Sequence, residues 1–412
     1  MRRVVVTGLG MLTPLGNDVE STWDGLIAGR SGIDHITAFD ASEFEFSIAG
    51  ELKDFNPAAH VDRKLLRRMD RASVLALTAA REAVADAGID IASEDPADVG
   101  IIVGTGVGGA HLAVENQKLL DEKGARRVSP FLITQMLPDT ATGLIAIELG
   151  ARGPNMAISA ACATGGAAVG EAAEVIARGG AEVVITGGFE APLHPIYYAG
   201  FMAMRALAQH EDPSKAARPF DADRNGFVVA EGAGLLVLES LEHAEARGAK
   251  IYAEWKGAAS SNDALDMVAA ADDGRGIAVA MEAAMANAGV VPADVDYINA
   301  HGPGTPLGDR VESQAIRRQF GEDADEVLVS STKSMIGHMM GASGAVEAIV
   351  TLLATQRGIV PPTINFETPD PDCDLNYVVN EAQQTDVRYA MSTSVGLGGH
   401  NSAIIFARWE GN

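Results

Sequence analysis

Cysteine is almost missing from this chain: Cys162 and Cys373 are the only two in 412 residues. Two thiols cannot build a disulfide framework, nor a zinc site by themselves, so a reducing, cytoplasmic setting is expected. Basic charge is scarce as well, with 31 Lys and Arg against 56 Asp and Glu and a net charge of −25. A surface this acidic repels nucleic acid and anionic membrane except where its few cations cluster. Long apolar runs are absent too. No stretch approaches the roughly 18 residues that a membrane span needs. The amino terminus, Met1 to Gly8, reads as a strand from the outset, without an apolar signal core.

What is present is ordinary globular material, 47% hydrophobic, with 45 glycines scattered in short clusters. Short β-branched runs (Val4–Thr7, Gly100–Val103, Val183–Thr186, Val327–Ser330) alternate with Ala-rich helical segments. That order predicts an α/β fold with buried central strands. One phrase occurs twice. A helix is followed by Asp86-Ala87-Gly88-Ile89, Pro96-Ala97-Asp98-Val99 and a strand; later a helix is followed by Asn287-Ala288-Gly289-Val290, Pro292-Ala293-Asp294-Val295 and a strand. A duplicated α/β half predicts this, with a seam near residue 250 dividing 1–250 from 251–412; convergent turn chemistry is the alternative. Val346, Ile349, Val350 and Leu353 recur at helical spacing and predict a buried helix. Met281 and Met285 read as core filler on another.

Three residues stand where strands give way to turns. Cys162 follows the apolar run from Met156, and small residues after it open an Ala-rich helix. At a helix amino terminus, free N–H groups favour a thiolate and a developing oxyanion. The bland reading is an inert buried thiol. His301 ends the run Tyr297–Ala300, and His338 precedes the Val346 helix. Each alone reads equally well as a loop histidine with a structural hydrogen bond. Together the three form a Cys/His/His set at strand ends, where open α/β sheets place their sites. Glu347 on an apolar helix requires a partner, and Lys333 is the candidate. Gly104, Gly106 and Gly109 spell a dinucleotide-loop pattern, but no acid-terminated second strand follows at the required distance.

In order and spacing, Ser159–Gly165, His301–Asp309, Lys333–Gly344, Glu347 and Gly396-Leu397-Gly398-Gly399-His400-Asn401 resemble the β-ketoacyl-acyl-carrier-protein synthases of type II fatty-acid synthesis. Arg218–Asp221 and Asn225–Val228 look like further family segments, and the likeness spans nearly the whole chain. The resemblance implies a thiolase fold, five layers αβαβα built from two similar halves, a homodimer, and no required cofactor. It implies that Cys162 carries an acyl thioester, that His301 and His338 stabilise the enolate left when malonyl-carrier loses carbon dioxide, and that Lys333 and Glu347 hold His338. The amides of Cys162 and Leu397 would form the oxyanion hole, and Val107 and Phe201 would line the acyl pocket. Lys64, Arg67, Arg68, Arg126, Arg127 and Arg205 match positions that meet the acyl carrier protein. Asn299, Glu347 and Ser392 match a monovalent-cation site of some relatives.

Three positions depart from the family pattern. Pro303 replaces a Thr that binds the pantetheine arm, although Thr305 is kept, and Val268 stands for a second such Thr. Val395-Gly396-Leu397 replaces a Phe-Gly-Phe gate, which leaves free volume beside Cys162. Each lost hydrogen bond weakens binding by about 0.5–1.5 kcal/mol. The chemistry reads as intact and the substrate handling as altered. Alternatives are a polyketide-type or substrate-altered paralogue, a non-catalytic partner subunit, and a coenzyme A thiolase. The last requires a second catalytic cysteine, which Cys373 does not match.

Overall fold

The computed structural model describes residues 1–411. Ten strands carry the fold: β1 (Val4–Leu12), β2 (Val99–Gly104), β3 (Asn155–Ile158), β4 (Val183–Glu190), β5 (Gly232–Ser240), β6 (Ala253–Asn262), β7 (Tyr297–Asn299), β8 (Leu328–Ser330), β9 (Tyr389–Gly396) and β10 (His400–Arg408). The first five lie side by side as β3-β2-β4-β5-β1, and the second five as β8-β7-β9-β10-β6. Within each set the first three strands run parallel and the last two pair antiparallel. The same order and sense thus occur twice, joined by a short antiparallel β1–β6 contact. The twice-used phrase falls at equivalent points. Helix α1 (Arg71–Ala87) leads through the turn Pro96–Asp98 into β2, and α3 (Arg275–Ala288) leads through Pro292–Asp294 into β7.

The layering follows from which faces are apolar. Along β5, Leu235 and Val237 point to one side and Leu236 and Leu238 to the other, and all four are buried. A strand covered on both faces reads as an unbroken apolar run. Between the two sheets lie α2 (Thr164–Ala177) and α5 (Ser343–Arg357), packed on each other. Every residue of α5 from Ser343 to Thr355 is buried, so it is a helix covered all round rather than one with a single buried stripe. Helix α1 covers the outer face of the first sheet; α3 and α4 (Pro306–Phe320) cover the outer face of the second. That completes five layers, αβαβα. Close approach is built in at β1, where a Cβ on Gly8 or Gly10 would lie within 2.1 Å of an α1 carbonyl.

Candidate active site

Cys162 sits in a tight turn rather than in the first turn of the helix itself. After β3 the chain forms a 3-10 turn over Ala161–Ala163, and α2 starts at Thr164. The Thr164 hydroxyl accepts the Ala160 N–H at 2.8 Å, and Ala161 is held at φ +50°. The sequence predicts an easily ionised thiol here. Burial works the other way and pushes the Cys162 thiol up to about 11. Lys333 and the Leu397 N–H favour the thiolate but do not outweigh burial, to which Glu190 and Glu347 add.

His338 faces the cysteine. Its Nε2 lies 3.1 Å from Cys162 Sγ, and its Nδ1 lies 3.0 Å from Ser343 Oγ. Its backbone is fixed from the other half: the His338 N–H donates to Val228 O at 2.7 Å, and Ala230 N–H to His338 O at 2.9 Å. Lys333 and Glu347 form the expected buried ion pair. Neither hydrogen-bonds to His338, however; Ser343 orients that ring, a role the sequence gave no sign of. Lys333 acts on the histidines through its charge, which, after burial, drives both imidazoles well below their ordinary range and so keeps them neutral. The His301 ring lies 5.2 Å from that of His338, at 82°. Its backbone N–H donates to Glu312 Oε1 at 2.8 Å and the Gly302 N–H to Glu312 Oε2 at 2.7 Å, which pins the turn.

Cys162, His301, His338 and Glu312 line a cavity of about 350 Å³. Its wall includes Phe201, Val268, Pro303, Thr305, Val395, Gly396 and Leu397, so all three departures from the family pattern face the space beside Cys162. Gly396 packs against the cysteine turn so closely that a Cβ there would sit 3.0 Å from Cys162 N. Phe227, Met340 and Leu307 line the cavity too; each lies in a segment that carries the family likeness, but none is a site candidate on sequence grounds. Val107 does not line it. Its amide instead donates to Glu190 Oε1 at 3.2 Å. Glu190 likewise disposes of the dinucleotide reading, because its carboxylate takes the Gly106 and Gly108 amides that a phosphate would need.

Lys64, Arg67 and Arg68 are exposed, and the Arg68 guanidinium lies over the Phe131 ring at 5.4 Å. That contact brings them beside the segment following Arg126 and Arg127, both exposed. Arg205 is exposed at the cavity wall. Asn299 and Ser392 are paired across β7 and β9, on which α5 packs. The Asn299 amide atoms and Glu347 Oε2 are buried without a protein partner. One carboxylate among neutral oxygens suits a singly charged cation. Among the described residues, no cluster of His, Cys, Asp and Glu could hold a metal, and no helix is long and apolar enough to cross a membrane.

Known proteins share this arrangement. The N-terminal domain of the β-ketoacyl synthases matches residues 1–244 and their C-terminal domain residues 252–367. The chain belongs to the β-ketoacyl synthase family. It is 51% identical over 410 residues to 3-oxoacyl-[acyl-carrier-protein] synthase 2 of Staphylococcus aureus (strain COL), covering 99% of each chain. It is 46% identical to the enzyme of that name from Synechocystis sp. (strain ATCC 27184 / PCC 6803 / Kazusa), again over 99% of both. Among solved structures, the ishigamide ketosynthase/chain length factor superposes with a TM-score of 0.93 at 37% identity, over 99% of each chain. A type II polyketide ketosynthase in complex with its acyl-carrier protein superposes at 0.91 with 34% identity, over 99% of this chain and 100% of that one.

Proposed function

We propose that this acyltransferase elongates fatty acyl chains by decarboxylative Claisen condensation, with Cys162 as nucleophile and His301 and His338 as enolate-stabilising donors. The observation that carries the roles is the 3.1 Å approach of His338 Nε2 to Cys162 Sγ in the wall of a largely apolar cavity. Cys162 Sγ attacks the acyl-carrier thioester, and the carrier thiol leaves with the cysteine proton. Malonyl-carrier then loses carbon dioxide, and the resulting enolate carbon attacks the acyl-Cys162 carbonyl. The carbon–sulfur bond breaks, and the Cys162 thiolate takes up a proton from solvent water. The amides of Cys162 and Leu397 face the carbonyl oxygen as charge develops on it. Met339 N–H donates to Ser343 Oγ at 2.9 Å. We assign the Ser343 O–H to His338 Nδ1, which leaves the ring proton on Nε2, directed at the enolate oxygen. Two neutral imidazoles serve this role without prior protonation.

The exposed cations from Lys64 to Arg127, with Arg205, steer an acidic carrier protein onto an otherwise acidic surface. A second copy of the chain pairs at β3. That strand ends the sheet with one edge open, and Met156 on it and Ile147 on the neighbouring helix are exposed. Asn299, Ser392 and Glu347 hold a monovalent cation, a reading supported by the Asn299 amide oxygen and Glu347 Oε2, which are buried without a protein partner. No other cofactor is required, and the two free thiols suit a reducing cytoplasm. The apolar wall of Val268, Pro303 and Leu397 favours a substrate-altered enzyme over one with ordinary pantetheine contacts. Incubation with acyl-carrier and malonyl-carrier, followed by detection of 3-oxoacyl-carrier and carbon dioxide, tests the reading. Malonyl consumption without an elongated product would overturn it.

A further inference from the structure

Neither Glu190 nor the Gly104–Gly109 turn has a part in the scheme above, yet they are joined. Glu190 ends β4 and is fully buried. Its Oε1 accepts from Thr105 Oγ1 at 2.6 Å, Val107 N–H at 3.2 Å and Gly108 N–H at 3.3 Å. Its Oε2 accepts from Gly106 N–H at 2.7 Å and Gly341 N–H at 3.0 Å. Four of these donors belong to one turn, three successive amides of the kind that hold anions and the Thr105 hydroxyl. The fifth, Gly341, comes from the other half of the molecule.

Gly341 lies inside the turn that carries His338 at one end and Ser343 at the other. The residue before it, Met340, is held at φ +46° and lines the cavity beside Cys162. A left-handed conformation is unfavourable for a side chain of this size and persists only where its surroundings enforce it. The fit is close enough that a Cβ on Gly341 would lie 2.7 Å from Glu190 Oε2 and 2.5 Å from Gly106 N. One buried carboxylate therefore bridges the β2 turn and the His338 turn at the point of strain.

We propose that Glu190 is a positioning residue: by tying Gly341 to the β2 turn it fixes the Met340 backbone and hence the separation of His338 Nε2 from Cys162 Sγ. The proposal rests on the roles given above to Cys162 and His338. Burial raises the pKa of Glu190 while its hydrogen bonds oppose that rise, and its negative charge in turn disfavours the Cys162 thiolate. The charged or titratable groups acting around Cys162 are Lys333, Glu190, Glu347, His301 and His338.

The test compares Glu190→Gln and Glu190→Asp with the parent in the full chain. Thermal unfolding establishes the folded fraction, kcat and KM are measured for condensation, and the pH profile of Cys162 alkylation by iodoacetamide is followed. Gln keeps the shape but has one acceptor oxygen and an NH2 group that must face an N–H. Condensation kcat per folded molecule should fall about tenfold or more with KM little changed, as expected for misplacement by a fraction of an ångström. The alkylation profile should move to lower pH, since a negative charge has been removed. Asp, which keeps the charge but is too short to span both turns, should lose kcat without that shift, and it serves alone if the Gln variant does not fold. Unchanged kcat per folded molecule in the variants that fold, or an unshifted alkylation profile in a folded Gln variant, would overturn the proposal. Alkylation needs no acyl substrate, so a parent that alkylates normally but condenses nothing would count against the proposed function instead.

Discussion

In the first half of the molecule, β2 ends in a turn of small residues, and the carboxylate of Glu190 from β4 takes up its inward-facing amides. In the second half, the equivalent β7 ends in His301-Gly302, and the carboxylate of Glu312 from α4 takes up those amides, with the Thr393 hydroxyl at 2.7 Å. The local problem is the same, buried N–H groups at a strand end, and so is the remedy. What differs is the side chain the turn presents, none of consequence in one half and an imidazole in the other. The third strands diverge similarly. β3 leads to Cys162, and β8 leads to Lys333 and His338. Because α2 and α5 pack against each other between the sheets, these unlike strand ends meet at one point. The two halves are similar frames; the site comes from filling them differently, a thiol in one and imidazoles in the other.

The contrast can be broken most severely at the charge pair. Glu347 stands one turn into α5, where Ala168 stands one turn into α2, so only one of the two central helices carries a buried charge. Lys333→Met leaves the Glu347 carboxyl buried without its partner, and should destabilise the fold by about 3–5 kcal/mol in urea unfolding, with the Lys333→Met/Glu347→Leu double variant recovering much of that loss. His301→Ala should lower condensation by about 10²–10³-fold while acyl transfer to Cys162 survives, which would separate the work of the two halves in a single variant. Cys162 sharpens the comparison from the other side. With its thiol pushed up to about 11, the thiolate fraction rises roughly tenfold per pH unit below that value. Iodoacetamide alkylation should therefore climb about a hundredfold from pH 7 to pH 9, and a plateau near pH 8 would contradict the burial argument. The smallest effect is expected at the surface. Arg67→Glu/Arg68→Glu should raise the KM for carrier-linked substrate by about tenfold at low salt, with the difference shrinking as ionic strength rises.

Much of this was legible beforehand. Apolar runs ending in Gly or Ser mark strands buried on both faces, and the paired phrases at Asp86–Val99 and Asn287–Val295 mark equivalent helix-to-strand passages. The Cys162/His301/His338 set is legible because each member follows an apolar strand, although a short helix over Lys333–Ile336 separates His338 from β8. What pattern could not show is long-range polar closure. Ser343 orients His338 only because a strained turn folds back on itself, and nothing in a serine at a helix start announces that. Glu190 could have been noticed as a charge closing an apolar strand, but its partners lie 82 to 151 residues away. Local position at a helix start favours ionisation of the Cys162 thiol, whereas its burial, reinforced by the charges of Glu190 and Glu347 and only partly opposed by Lys333, works against it. The Val107 amide is likewise held by Glu190, a contact that its place in the sequence does not announce.

The central claim, that Cys162 carries the acyl group, is tested most directly by intact-protein mass spectrometry after incubation with acyl-carrier proteins of graded chain length. The account predicts one acyl adduct per chain, located on Cys162, absent from Cys162→Ala and lost again when malonyl-carrier is added. No adduct at any chain length, or an adduct that persists in Cys162→Ala, would contradict it.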